Sequence, residues 1–118
     1  MKYSCFLVLI LGLCFSSCNT RWNSDDIKGS WKTVNWEVIA TGKKIDQKMN
    51  MMFLEDRKYE VDYGSEKELG SYYLAGEYLH TKETGAAEKS VRIINLTPDT
   101  LLFEMNRAGS IESVLLIR

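Results

Sequence analysis

The sequence predicts an all-β fold in which eight antiparallel strands close into an up-and-down β-barrel behind an N-terminal signal peptide. Short runs of alternating polarity, separated by glycine-bearing turns, recur about every 10–12 residues, a spacing typical of sandwiches and barrels. No stretch keeps a helical period for ten residues, which argues against a parallel sheet with crossover helices. A short apolar run at the N-terminus predicts the signal peptide.

The N-terminal segment has the layout of a secretory signal. Lys2 supplies a positive charge, residues 5–15 are apolar apart from Gly12, and small residues precede Cys18. The run is too short for a membrane span, which needs about 20 residues. The sequence therefore divides into a signal peptide, a tether and a barrel domain, at residues 1–17, 18–24 and 25–118.

The stretch Phe15-Ser16-Ser17-Cys18 resembles the lipobox of bacterial lipoproteins. The resemblance implies cleavage before Cys18 and attachment of fatty acyl chains such as palmitate, so that the lipid bilayer is a partner. It also implies a bacterial cell envelope, with the outer membrane expected. The periplasmic side is favoured because residues 19–22 carry no acidic cluster. The alternative is an ordinary signal peptide that leaves Cys18 free. No cysteine follows Cys18, so the domain must fold without disulfides.

The barrel domain opens with a short helical turn, which Ser24 is expected to cap and Gly29 to end. Eight predicted strands follow, each alternating between an apolar and a polar face. The first three place Val34, Trp36 and Val38, then Met49, Met51 and Phe53, then Tyr59, Val61 and Tyr63 on one face. The strands are WKTVNWEVI, QKMNMMFLE, KYEVDYG, LGSYYL, EYLHTK, SVRIINL, TLLFEMN and SIESVLLIR.

Short links predict that each strand pairs with its neighbours in sequence, and closure removes the two free edges of such a meander. Strands of about six residues span only ~20 Å, so the interior is expected to hold mostly side chains.

The element Gly29-Ser30-Trp31 after the helical turn resembles the Gly-x-Trp motif that opens the first strand of lipocalins. Later stretches, GSYYLAGEYL and INLTPDTLLFEM, resemble strands of small lipocalin-like lipoproteins of Bacteroidetes-type genomes. The resemblance implies a barrel whose interior binds a small apolar molecule. Gly29 would permit close chain approach, and Trp31 would plug one end. The chain is shorter than typical ligand-carrying lipocalins, and no individual ligand contact carries over.

The composition excludes several function classes. Lys and Arg total 15 against 16 Asp and Glu, with the signs interspersed, so nucleic acid is not an expected partner. One histidine and no nucleophile elbow leave no catalytic signature, and we expect neither an enzyme nor a cofactor. Asp25 and Asp26, and likewise Glu66 and Glu68, fall in predicted caps and loops, where solvated charges are expected.

The methionines suggest a metal site as the least favoured alternative. Met49 and Met51 point the same way in a strand, and such a pair resembles the thioether ligands of small periplasmic copper-binding barrels. His80, Met105 and Trp36 could complete a Cu(I) site of that kind. Methionine is also the usual filler of cores, and we expect that role and no metal site.

The expected function is therefore non-catalytic binding of a small apolar ligand, or a binding role in the envelope. Five aromatic side chains form the expected pocket wall or, in so small a barrel, the core: Trp36, Tyr59, Tyr63, Tyr72 and Phe103. The alternative is a protein-inhibitor or interaction barrel that binds through loops 64–68 and 83–88.

Overall fold

The structure, a computed structural model, describes residues 21–118. These residues form one short helix, α1 (Ser24–Ile27), a 3-10 turn (Glu55–Arg57) and eight strands. The strands are β1 (Gly29–Val38), β2 (Asn50–Phe53), β3 (Lys58–Asp62), β4 (Lys67–Ala75), β5 (Tyr78–Glu83), β6 (Glu88–Leu96), β7 (Thr100–Arg107) and β8 (Ser110–Ile117).

The eight strands form a closed antiparallel barrel in sequence order, which confirms the predicted all-β up-and-down architecture. Closure occurs where β1, already paired with β2, also pairs with β8, so that Trp36 lies opposite Val114. Every strand thus has two hydrogen-bonded neighbours, and the barrel has no free edge. The predicted signal peptide, Cys18 and the start of the tether lie outside the described residues. Within residues 21–118, no helix has the length and apolar character needed to cross a bilayer.

Helix α1 is capped one residue earlier than the sequence suggested. The Asn23 side chain accepts a hydrogen bond from the Asp25 amide at 3.2 Å, and the Asp26 carboxylate accepts one from the Asn23 amide at 2.9 Å. This reciprocal capping box satisfies two amides that the first helical turn leaves free. Ser24 is therefore the first helical residue, and Gly29 begins β1 instead of ending the helix.

Because of a β-bulge in β1, the predicted orientation of one side chain is wrong. Val34 was expected to share a face with Trp36, but it is 49% exposed while Trp36 is buried. Thr33 pairs with Leu116 and Asn35 with Leu115, so Val34 is an extra residue in the ladder. The bulge shifts the alternation by one position and allows Trp31 and Trp36, an odd number of residues apart, both to be buried.

The core runs through the barrel and consists of inward-facing apolar side chains from all eight strands and α1. It includes the predicted inward residues Met49, Met51, Phe53, Tyr59 and Val61. The whole set is Ile27, Trp31, Trp36, Met49, Met51, Phe53, Tyr59, Val61, Tyr72, Leu79, Ile93, Leu96, Leu101, Phe103, Val114 and Leu116. Burying each large apolar side chain of this kind contributes about 1.5–3 kcal/mol, which is how the domain folds without crosslinks.

Helix α1 and the start of β1 seal one end of the barrel. Ile27 is fully buried there, and the Trp31 indole nitrogen donates a hydrogen bond to the Ile27 carbonyl oxygen at 2.8 Å. The Arg118 guanidinium lies 4.1 Å from the centre of the Trp31 ring. Gly29 has a φ of +126°, which strains any residue with a side chain, and a Cβ there would lie 2.9 Å from the Arg118 guanidinium and displace it.

Arg118, which the sequence analysis did not single out, fastens this sealed end. Its guanidinium donates hydrogen bonds to the carbonyl oxygens of Lys28, Pro98 at 2.7 Å and Asp26 at 3.1 Å. It thereby joins α1 and the start of β1 to the turn between β6 and β7. A single arginine after a strand has no sequence pattern that reveals such partners.

Candidate binding site at the open end of the barrel

The opposite end of the barrel is open and contains a cavity of about 700 Å³. It lies where β1, β3, β5 and β7 end and β2, β4, β6 and β8 begin. Aromatic, methionine and charged side chains all reach it. Its lining is Trp36, Gln47, Met49, Tyr63, Glu66, Lys67, Glu68, Glu83, Lys89, Ser90, Val91, Met105, Asn106 and Arg107.

A buried carboxylate, Glu68, forms one wall of this cavity. Glu68 was predicted to lie in a solvated loop, but it is the second residue of β4, points inward and is buried. Its carboxylate accepts hydrogen bonds from the Tyr59 hydroxyl at 2.5 Å and the Tyr63 hydroxyl at 3.1 Å. The Lys89 ammonium lies further away, at 3.8 Å. The expectation was wrong because β4 begins earlier than the apolar run that predicted it.

The tyrosines around Glu68 have shifted acidities. Burial raises the pKa of Tyr63 to about 12, and the negative charge of Glu68 acts in the same direction. Burial also raises the pKa of Tyr59, with the hydrogen bond to Glu68 as the next cause. Both hydroxyls therefore stay protonated and act as hydrogen-bond donors to the carboxylate.

A second buried carboxylate, Glu112, lies at the start of β8. One of its oxygens, Oε1, accepts a hydrogen bond from the Trp36 indole nitrogen at 2.8 Å and contacts the Arg107 guanidinium at 3.4 Å. The Arg107 guanidinium also lies 6.0 Å from the centre of the Trp36 ring. Among residues 21–118, no donor forms a hydrogen bond with the other oxygen, Oε2.

The five aromatic residues predicted as a pocket wall occupy different depths. Trp36 and Tyr63 line the cavity. Tyr59 is buried and reaches Glu68 through its hydroxyl. Tyr72 packs edge-on against Phe53, with ring centres 4.9 Å apart, and Phe103 is buried; neither lines the cavity. The predicted set therefore combines pocket lining with core.

The methionines and His80 lie on opposite sides of the barrel wall. Met49 and Met51 are buried inside, whereas His80 lies on the outer face of β5, stacked on Tyr73 with ring centres 4.5 Å apart. His80 thus does not complete a site with the methionines. Within residues 21–118, no group of three or more acidic, histidine or cysteine side chains is arranged to hold a metal ion.

The outer face also brings together serine, histidine and glutamate side chains, but not in the geometry of a catalytic triad. The Ser90 hydroxyl lies 2.7 Å and the Glu88 carboxylate 3.3 Å from the same ring nitrogen of His80, Nδ1. A triad needs the nucleophile and the carboxylate on different ring nitrogens. This cluster therefore cannot pass a proton from Ser90 through the ring to Glu88.

No known protein family, no curated protein and no solved structure matches this chain.

Proposed function

We propose that this protein is a lipid-anchored, lipocalin-like barrel that binds a small molecule at its open end without catalysing a reaction. The observation that carries the proposal is the cavity of about 700 Å³ at one end of a barrel whose other end is sealed. Binding pockets for small molecules generally have volumes of about 300–1,000 Å³.

The lining suits a ligand that has an apolar part. Trp36, Met49, Val91 and Met105 offer apolar surface on several strands of the wall. Methionine side chains adapt to irregular shapes, and an indole ring provides a large flat contact. The polar side chains interspersed with them would orient the ligand. In most pockets, a small number of polar groups has this role.

Native mass spectrometry of protein extracted gently from its own cells tests this binding. We expect a mass above that of the polypeptide with its lipid, and we expect Trp36→Ala to lose the extra mass. Trp22→Ala is the matched control, because Trp22 lies outside the lining of the cavity. If the wild-type protein shows the mass of the lipidated polypeptide alone, the proposal of a resident ligand fails.

The membrane anchor is a separate part of the proposal and rests on the lipobox-like stretch ending at Cys18. Two or more acyl chains on one residue would give stable membrane attachment. Cells grown with labelled palmitate should label the wild-type protein and the Cys14→Ser variant, but not Cys18→Ser. Protease treatment of intact cells should leave the protein uncleaved if it faces the periplasm. Equal labelling of the two cysteine variants would overturn the anchor.

A second candidate function, a protein-interaction barrel, is favoured by one observation at the open end. Ile39 and Ile111 are both exposed there, 47% and 38% respectively, and the Ile39 amide donates a hydrogen bond to the Ile111 carbonyl oxygen at 3.0 Å. Adjacent exposed apolar residues favour a protein contact. A pull-down that recovers a stoichiometric partner with the wild-type protein, but not with Ile39→Ser, would support this candidate over small-molecule binding.

A further inference from the structure

We infer that the ligand of the open end is a small organic amine, whose ammonium group is received by the buried carboxylates Glu68 and Glu112. The inference rests on the proposed function and specifies its ligand class. It departs from a purely apolar ligand because the buried charged side chains at this end are carboxylates, Glu68 in the lining of the cavity and Glu112 beside the lining residues Trp36 and Arg107.

The two carboxylates are buried, whereas the cations near them are exposed. The side chains of Glu68 and Glu112 are 11% and 7% exposed, against 60% for Lys89 and 55% for Arg107. Burying a carboxylate is unfavourable unless hydrogen bonds and a nearby positive charge compensate it. The negative charges of these two pairs are thus buried, and the positive side chains lie nearer the solvent.

The resident cations hold these carboxylates only loosely. Lys89 lies 3.8 Å from Glu68, and Arg107 lies 3.4 Å from Glu112, whereas charge-assisted hydrogen bonds are usually about 2.7–2.9 Å long. The short contacts come from neutral donors, the Tyr59 hydroxyl and the Trp36 indole nitrogen. These donors orient the carboxylates but bring no positive charge. A ligand ammonium could therefore replace either long side chain at little cost.

The position of Glu112 beside Trp36 provides both elements of an ammonium site. An indole face attracts cations, and here it lies next to a carboxylate whose Oε2 accepts no hydrogen bond from residues 21–118. Arg107 stands over this ring, 6.0 Å from its centre. An ammonium group of the ligand would take the place that the guanidinium now occupies.

The strand order places the two carboxylates on opposite sides of the barrel, with Glu68 in the lining of the cavity and Glu112 beside the lining residues Trp36 and Arg107. Glu68 belongs to β4 and Glu112 to β8, which are half a circuit apart in the closed ring of eight strands. The surface between them includes the apolar Met49 and Met105. A linear diamine, with an alkyl chain between two ammonium groups, suits this arrangement better than a monoamine. A carboxylic acid would be repelled by both carboxylates.

Calorimetric titration of the full-length protein, held in nanodiscs of zwitterionic lipid, tests the inference. The probes are cadaverine, pentylamine, pentanol and pentanoate, which share one chain length and differ in charge. We expect the affinity to fall in the order cadaverine, pentylamine, pentanol, with no binding of pentanoate. Empty nanodiscs give the background from the lipid.

Variants then locate the binding. Glu68→Gln and Glu112→Gln keep the side-chain volume, and each should weaken cadaverine binding about tenfold or more, as the loss of one charge-assisted hydrogen bond does. Glu104→Gln, on the outer face of β7, is the matched control and should leave the affinity unchanged. Lys89→Gln should tighten binding, because it removes a competing cation. A variant that failed to fold could not produce such a gain.

The outcomes separate the inference from the proposed function. In one outcome, pentanol or pentanoate binds at least as tightly as the amines, with an affinity that Glu68→Gln and Glu112→Gln do not change. That result would overturn the amine inference and leave small-molecule binding intact. Absence of amine binding would also overturn it, and cargo in native mass spectra would then still uphold the proposed function. Amine binding that Glu104→Gln weakens as much as Glu68→Gln does would point to surface charge and overturn the inference.

Discussion

Two buried tyrosines, Tyr59 and Tyr72, allow a direct test of how the barrel accommodates its buried charge. Both side chains are 2% exposed, and removing either hydroxyl changes the volume by one atom. The Tyr59 hydroxyl donates to Glu68 at 2.5 Å, whereas no side chain or backbone group in residues 21–118 bonds to the Tyr72 hydroxyl. The substitutions Tyr59→Phe and Tyr72→Phe therefore differ in whether the hydroxyl that is removed forms a hydrogen bond.

Tyr59→Phe should reduce the free energy of unfolding by about 2 kcal/mol, since a hydrogen bond to a charged group contributes about 1.5–3 kcal/mol and the buried carboxylate loses its closest donor. For a domain of this size, that loss lowers the melting temperature by about 8–16 °C. Tyr72→Phe removes a hydroxyl whose burial is not compensated, so it should leave stability unchanged or raise it by up to about 1 kcal/mol.

Urea unfolding followed by tryptophan fluorescence measures both free energies. The transitions should have equal slopes, because the two variants bury the same surface. If Tyr72→Phe destabilised the protein as much as Tyr59→Phe, the Tyr72 hydroxyl would have a hydrogen-bond partner and the reasoning would be refuted. Equal stability of Tyr59→Phe and the wild-type protein would refute the role assigned to the Tyr59–Glu68 hydrogen bond.

Three further substitutions test the frame of the barrel and its pH dependence. Gly70→Ala should cost about 2 kcal/mol or more by urea unfolding, because its Cβ would lie 2.1 Å from a carbonyl oxygen of the facing strand, whereas Ser71→Ala should have little effect. Arg118→Met should lower the melting temperature well beyond the effect of Arg92→Met, which breaks one exposed ion pair worth about 0.2–1 kcal/mol. The pKa of Tyr63 is raised from 10.0 to about 12 in the folded protein, so its contribution to stability is complete below pH 10 and is lost as the pH rises towards 12. Tyr63→Phe should therefore make the free energy of unfolding depend less on pH in that range.

The architecture was predictable because strand pairing in a meander follows from local patterns. Alternation at Tyr59 and Val61 and at Met49, Met51 and Phe53 fixed which face of each strand turns inward. Short turns then left neighbouring strands as the natural partners. The bulge at Val34 escaped prediction, because an extra residue in one strand depends on the partner's register and not on the strand's own sequence.

The candidate site was only partly predictable. Trp36 and Tyr63 were identified as lining residues by their aromatic character. Glu68 and Glu112 were missed, although a signal for them was present. Glu68 lies an even number of residues before Tyr72, and this spacing places both on the same face of a strand.

A charged residue at an inward position of a strand indicates the open end of a barrel more clearly than its aromatic residues do. Apolar side chains such as Trp31 and Phe103 are needed throughout the interior for stability, so their presence does not separate core from site. A carboxylate such as Glu68 or Glu112 adds no apolar stabilisation to the core. It is tolerated only where hydrogen-bond donors and water can reach it. The apolar core that runs from the sealed end through the barrel supplies the stability, and this allows the open end to keep the buried carboxylates Glu68 and Glu112.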